Sequence, residues 1–399
     1  VDDRIVAGPF TFQGIVAISD PVRSDVPVAV KECLDAGIAI KIVTGDTPAT
    51  ACEIGRQIGL WSDADNDRNI ITGPELGALS DSELDSRVMD LKIIARARPM
   101  DKKRLVESLQ RCNQVVAVTG DGTNDAPALK QAHVGLSMGD GTSVAKEASD
   151  ITIIDNSFGS IGRAVMWGRS LYQNIQRFLL FQLTVNVAAS FIVLLGAFMG
   201  TQSPLTVTQM LWVNLIMDTF AAMALASLPP SERVMRDKPR DRKAFILNRN
   251  MYENILGVGG FFFLLLFVLL FVFEHADIRQ LTDLLHVHLG KADGLTPYEL
   301  TLFFTIFVMT HFFYLFNARA FETGRSALHF KGCKGLLFTA AIIFIGQIAM
   351  VELPVLQQFF NVVGLKFTDW VIIIVGSSLV LWVREVWQWI KHLSTNKRK

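Results

Sequence analysis

Hydrophobic positions change their spacing part-way along the chain. From residue 12 to 155, short apolar runs alternate with segments whose apolar positions recur every three or four residues. That is the pattern of buried strands separated by amphipathic helices. The spacing predicts strands over residues 14–18, 38–43, 92–95, 115–118, 134–137 and 151–154, and helices over 26–36, 49–58 and 102–111. Such an order implies one doubly wound parallel sheet with right-handed crossovers, an α/β domain. Beyond Arg177 the apolar runs lengthen to the roughly 20 residues that a bilayer span requires. Six spans can be drawn, over 178–200, 207–228, 255–273, 302–315, 336–351 and 370–387, the fourth extending toward Tyr298 and Asn317. Residues 158–177 have helical periodicity and no proline, so they read as a stalk running from sheet to membrane. The expected organisation is an α/β domain over 1–160, a stalk over 161–177 and an all-α membrane domain over 178–399.

Charge orients this scheme. The loops after the second and fourth spans are basic, with Arg233, Arg236, Lys238, Arg240, Arg242 and Lys243 in one and Arg319, Arg325, Lys331 and Lys334 in the other. The loop after the third carries Glu274, Asp277, Asp283 and Asp293. By the positive-inside rule the basic loops, the tail and the α/β half share the cytoplasmic side. A net charge of zero over 399 residues gives no reason to expect nucleic acid. The four cysteines have no metal-binding spacing and read as reduced thiols. The opening Val-Asp-Asp-Arg-Ile has neither Met nor a signal-peptide pattern, and the chain reads as cut from something longer.

Candidate chemistry gathers at the predicted strand ends, where open α/β sheets bind ligands. After the strand at 115–118 comes Thr119-Gly120-Asp121-Gly122-Thr123-Asn124-Asp125-Ala126-Pro127. Its two carboxylates and backbone amides suit Mg²⁺ and a phosphoryl group. After the strand at 38–43 comes Thr44-Gly45-Asp46, and Lys102 lies in the basic start of a helix. Thr44 and Asn124 can hydrogen-bond phosphate oxygens, Lys102 can offset their charge, and Asp121 with Asp125 can hold Mg²⁺. Each loop alone is also a plain turn, and Asp20-Pro21-Val22-Arg23 after the first strand is weaker still. No Asp of this half stands in a nucleophile context.

In the membrane half Asn214 and Asp218 lie four apart, on one face of a helix. Asp218 is the carboxylate near the middle of a span, costing ~2.5–3.5 kcal/mol unless it binds something. A hydrogen bond between helices is the plain alternative. Asn186 lies at comparable depth, and His311 and Gln347 either add contacts or join helices. One acid with amides suits a hard cation, Ca²⁺ before a soft metal.

These residues resemble those of the P-type cation-transporting ATPases. Thr44-Gly45-Asp46, Lys102 and the 119–127 run look like the phosphorylation domain, a haloacid-dehalogenase-like (HAD-like) fold. Residues 210–219, followed by Pro229-Pro230, are similar to the sixth span of calcium pumps. Residues 181–187 look like the fifth span of the plasma-membrane subgroup, which includes bacterial members. The resemblance covers essentially the whole chain and corresponds to the carboxyl-terminal part of such a pump, with residues 1–10 a trace of the nucleotide domain.

It implies Mg²⁺ at Asp121 and Asp125, phosphoryl contacts from Thr44, Gly45, Lys102 and Asn124, and Asp46 near bound ATP. It implies a transported cation at Asn186, Asn214 and Asp218, with His311 standing where relatives carry Glu or Gln. Ala189 replaces an acid of the endoplasmic-reticulum type, which bears on a second calcium site. The phosphorylated Asp, the actuator and nucleotide domains and the first four spans belong to the rest of the pump polypeptide, so this chain alone is expected neither to form a phosphoenzyme nor to pump. The expected whole is Ca²⁺ export across the plasma membrane, by a multi-pass protein in contact with lipid. The alternatives are Mn²⁺, Na⁺ or H⁺ as cargo, a membrane-anchored phosphatase, and a non-catalytic split subunit.

Overall fold

The computed structural model describes residues 11, 13–14, 21–199, 203–291, 294–323 and 326–396. They form two compact units. The first reaches Val165 and includes Met235–Arg242, and the second holds Met166–Val234 with the residues from Lys243 onward.

In the first unit, isoleucine-rich segments form short parallel strands, as β-branched side chains favour. β1 (Ile42–Val43), β2 (Ile70–Thr72) and β3 (Ile93–Ala95) make one sheet in the order β1-β3-β2. β4 (Ala117–Gly120), β5 (Val134–Met138) and β6 (Ile151–Ile153) make a second in the order β4-β5-β6. Pairing runs in register from Ile42 opposite Ile93 and from Ala117 opposite Val134. The helices are α1 (Val26–Asp35), α2 (Pro48–Gln57), α3 (Gly73–Ala78), α4 (Asp81–Arg87), α5 (Pro99–Arg111), α6 (Ala126–Gln131) and α7 (Ser143–Glu147). Apolar clusters cover the sheets. Ile71, Leu76, Leu84, Ile94, Leu105 and Val106 join Val116 and Ala128 in a core shared by both sheets. Val30, Ile58 and Leu60 form another cluster, and Ala51, Ile93 and Ala95 a third.

The expected single sheet is thus divided in two, because β1 and β4 are not paired with each other. The first expected strand, 14–18, lies mostly outside the described residues. β2, α6 and α7 were missed, as were α3 and α4: each is seven residues or fewer, too short for a period. Their capping boxes were legible, with Glu75 accepting from Thr72 N at 2.8 Å and Glu83 accepting from Ser80 N at 2.7 Å.

Asp85 at the end of α4 anchors α5. It accepts two bonds from Arg111 at 2.8 Å and one from Ser108. The Arg111 guanidinium, then Ser108, hold its carboxyl down at about 2. A depressed carboxylate contributes stability that is present above its unfolded value near 3.9 and lost as pH falls through the folded value. Stability of this unit is therefore expected to drop between about pH 4 and pH 2, and Arg111→Ala should shift that acid limb upward. Unfolding midpoints measured across that range check it.

The second unit is helical. It comprises α8 (Phe158–Met199, beginning in the first unit), α9 (Val207–Leu211), a π-helical run over Trp212–Met217, α10 (Asp218–Ala226), α11 (Arg249–His275), α12 (Pro297–Arg319), α13 (Lys334–Glu352), α14 (Pro354–Phe360) and α15 (Phe367–Asn396). Among the described residues, six helical stretches are long and apolar enough to cross a bilayer: this is an integral membrane protein. The fourth, the shortest on sequence, is the centre of the bundle, 83% buried against 28–39% for the others. Phe303, Phe304 and Phe307 are fully enclosed, as expected of a helix apolar all round. At its start, buried Glu299 pairs with Lys291 and accepts from Ile278 N at 3.0 Å.

The second span departs from expectation. A run of π-helix replaces the α-helical turn that was to align Asn214 with Asp218. Tertiary contacts accompany it: the Trp212 ring lies against Gly346 of α13, leaving 2.8 Å to where a Cβ would stand, and its indole donates to Gln347 at 3.1 Å. Gln347 therefore joins helices. Such widened turns recur at functional sites.

Candidate functional sites

Two separate sites are built, one in each unit. In the first, β4 ends at Gly120 and the chain turns through a 3₁₀ helix, Thr123–Asp125, into α6. Asp125 organises this loop. Its Oδ2 accepts from Asp121 N at 3.3 Å and Gly122 N at 3.2 Å, while Oδ1 receives Lys102 Nζ at 2.6 Å. Lys102 comes from the first turns of α5, after β3, so this ion pair joins the ends of the two sheets. A Cβ on Gly120 would meet the Asp125 side chain at 2.5 Å, so only glycine fits there. Gly120→Ala is expected to push Asp125 off Lys102 and destabilise the unit by ~1–3 kcal/mol, an overpacking cost. Chemical denaturation of the variant checks this.

Asp121 is placed differently. Its main-chain oxygen accepts from Thr142 N at 2.8 Å. Its exposed carboxylate has no hydrogen bond or ion pair among the described residues, and it lines a cavity of about 360 Å³ with Arg23, Asp140 and Asn156. Arg23 Nη1 donates to Asn156 O at 2.7 Å, and Asn156 Oδ1 accepts from Asp140 N at 3.0 Å. The weak Asp20-Pro21-Val22-Arg23 signal thus marks a real lining residue, while Asp20 lies outside the described residues. Asp140 and Asn156 were missed, since nothing local distinguishes them from turn residues.

At the end of β1, Thr44 Oγ1 donates to Asp46 Oδ2 at 2.6 Å. The turn is tied to β3 by Ala97 N to Thr44 O and Arg96 N to Asp46 O, both 2.9 Å. Arg96 holds a left-handed backbone there, φ 50°, a strained conformation of the kind that clusters at functional sites. Gly45 stands in open space and Asn124 is exposed. The structure therefore brings Lys102, Asp125 and the Asp121 loop into direct contact, and holds Thr44, Gly45 and Asp46 as a neighbouring turn at the strand next to β3.

In the second unit Asp218 is 3% exposed, and neither carboxylate oxygen has a hydrogen bond of ordinary geometry among the described residues. The polar side chain beside it is Gln182 of α8. Asn186 and Asn214 meet elsewhere, lining a cavity of about 430 Å³ with Ser190 and Met210. Asn214 is exposed and Asp218 does not line that cavity, so the expected shared face is not observed. His311 is fully buried. Its Nδ1 meets Phe307 O at 2.6 Å, its ring packs on Phe307 and Phe262, and Nε2 has no partner. No cluster of three or more His, Cys, Asp or Glu occurs among the described residues, which leaves amides and a single acid as the donors.

Known sequences match both halves. The family described as "Cation transporting ATPase, C-terminus" matches residues 202–390, and "haloacid dehalogenase-like hydrolase" matches 2–133. Human plasma membrane calcium-transporting ATPase 4 is 38% identical over 92% of this chain and 30% of its own length. The chain belongs to the P-type cation-transporting ATPases. Calcium-transporting ATPase 5, plasma membrane-type, of Oryza sativa subsp. japonica is 39% identical over 92% of the chain and 34% of its own length. Calcium-transporting ATPase 2 of Schizosaccharomyces pombe is 48% identical over 62% of the chain and 19% of its own length. The chain thus spans about a third of the length of the curated relatives that match most of it. The matches make the α/β unit a HAD-like domain and align the helical unit with the carboxyl-terminal membrane part of the family.

Proposed function

We propose that this chain is the phosphoryl-handling and ion-carrying part of a pump that uses ATP to export Ca²⁺ through an aspartyl-phosphate intermediate. The observation that carries the reading is Asp218, a carboxylate buried among membrane helices with both oxygens unpaired. An unsatisfied buried charge is costly, and a cation that arrives and leaves accounts for it. The relatives' names point to Ca²⁺, and an oxygen-only donor set suits it.

The acceptor Asp is expected in pump sequence outside these 399 residues. β1 and β4 each have a single strand neighbour among the described residues, and their ends carry Thr44 and Asp121. A parallel strand added between them would bring its own carboxyl-end Asp to the same edge. One oxygen of that Asp attacks the γ-phosphorus as the bond to ADP breaks, and water later cleaves the acyl phosphate. Lys102 offsets charge on the transferring group, while Thr44 and Asn124 hydrogen-bond its oxygens. Asp121, whose carboxylate has no partner among the described residues, fits an Mg²⁺ ligand. Asp125 has its oxygens engaged by Lys102 and two amides, which suits it to position the loop. When bound, the ion supplies charge neutralisation. The basic loops after α10 and α12 support a cytoplasmic position for the α/β unit beneath a plasma membrane.

The test is a chimera in which this chain replaces the matching segment of the human relative. ATP-dependent ⁴⁵Ca²⁺ uptake into inside-out vesicles is the expected result. Uptake of Mn²⁺, Na⁺ or H⁺ without Ca²⁺ would reassign the cargo, and ATP hydrolysis without any transport would overturn the pump reading.

A further inference from the structure

We propose that Gln182 supplies an amide oxygen to the cation received by Asp218, and that Gln182, Asn186 and Ser190 form a ladder leading to it. The inference rests on the cation reading of Asp218. Among the described residues, Gln182 Oε1 and both Asp218 oxygens are buried without a hydrogen bond of ordinary geometry, and the Gln182 side chain stands next to Asp218 as its polar neighbour. Two other buried polar side chains of α8 are satisfied. Thr184 returns its hydroxyl to Leu180 O at 2.7 Å and meets Tyr314 at 3.2 Å, and Asn174 accepts from Arg177 at 2.8 Å. Gln182 and Asp218 therefore bring three orphaned oxygens from two helices side by side, and each unpaired buried group is costly. A hard cation with oxygen ligands would satisfy all three at once.

Spacing adds a second argument. Gln182, Asn186 and Ser190 recur every four residues on α8, along one side of the helix. The last two line the 430 Å³ cavity together with Asn214. Gln182 is the next rung inward, where the ladder meets the carboxylate. A side-chain amide carries both a donor and an acceptor end, so rotation about its terminal torsion converts a neighbour of the empty carboxylate into a ligand of the filled site.

The experiment is ⁴⁵Ca²⁺ equilibrium binding to the full 399-residue chain in phosphatidylcholine nanodiscs. Gln182→Leu is expected to weaken binding about tenfold, the loss of one buried ligand, and Asp218→Asn to weaken it by at least ~30-fold. Gln182→Glu should tighten binding, an effect that a merely structural role would not produce. Unchanged affinity in Gln182→Leu overturns the inference and leaves Asp218 standing. If Gln182→Leu does not fold, unchanged affinity in Gln182→Glu overturns it. No binding by the unmodified chain overturns both the inference and the cation reading. A chimera that fails while the chain binds Ca²⁺ counts against the pump alone.

Discussion

Asp218→Asn is expected to reduce Ca²⁺ affinity by at least ~30-fold, the low end of the ~2–5 kcal/mol lost when one partner of a buried charge pair is truncated. In the chimera the same change should abolish Ca²⁺-dependent phosphorylation by ATP and spare phosphorylation by inorganic phosphate, which does not need the transported ion. A companion variant gives the opposite sign. Asp218→Leu removes a carboxylate that has no hydrogen bond in the folded bundle, so without Ca²⁺ it should unfold at a higher temperature than the unmodified chain. The expected gain is ~1–3 kcal/mol, the penalty of an unsatisfied buried polar group. An inter-helix hydrogen bond predicts the reverse, a loss of stability in both variants. Melting curves with and without Ca²⁺ distinguish the two.

Lys102→Ala carries the second large effect. The ion pair with Asp125 is mostly enclosed, with 22% of the lysine and 13% of the aspartate side chain exposed. Removing one partner of a fully buried pair costs ~3–5 kcal/mol, and partial exposure reduces that to about 2–3. Asp125 would keep the two loop amides but lose the contact that joins the β3 and β4 ends. On the proposed function, loss of the Lys102 charge should slow phosphorylation of the chimera by ~10²–10³-fold. Asp121→Asn separates the two roles. Its carboxylate has no partner among the described residues, so stability should stay within ~0.5 kcal/mol of the original, while Mg²⁺-dependent phosphorylation falls. Chemical denaturation and phosphoenzyme formation, measured on all three proteins, give the comparison.

The loop from Thr119 to Pro127 was legible because its signals are local. A glycine turn ends a strand, two aspartates follow at short spacing, and a proline opens the next helix. What each aspartate does was not local. Asp125 is claimed by a lysine 23 residues earlier, and Asp121 is left to a cavity whose walls come from Arg23, Asp140 and Asn156. Sequence reading treated the pair as equivalent, and packing separated them. The same holds in the membrane. The six spans were legible from apolar length. The π-helical run was not, because it accompanies a Trp212 indole seated on Gly346 and bonded to Gln347, far along the chain. Gln182 was passed over because one amide in an apolar run carries no pattern until its neighbour across the helix interface is known.

The amino-acid order by itself determined the division into a strand-alternating half and a membrane-spanning half, and it put the acidic and hydroxyl-bearing loops at strand ends. Those features follow from periodicity, length and turn residues, which act over a few positions. Tertiary structure decided which carboxylates are held and which are left without partners. Hydrogen bonds and ion pairs close over distances in sequence that no local pattern spans, and the polar groups they leave over, Asp121 in one unit and Asp218 with Gln182 in the other, are where this protein is expected to meet its ions.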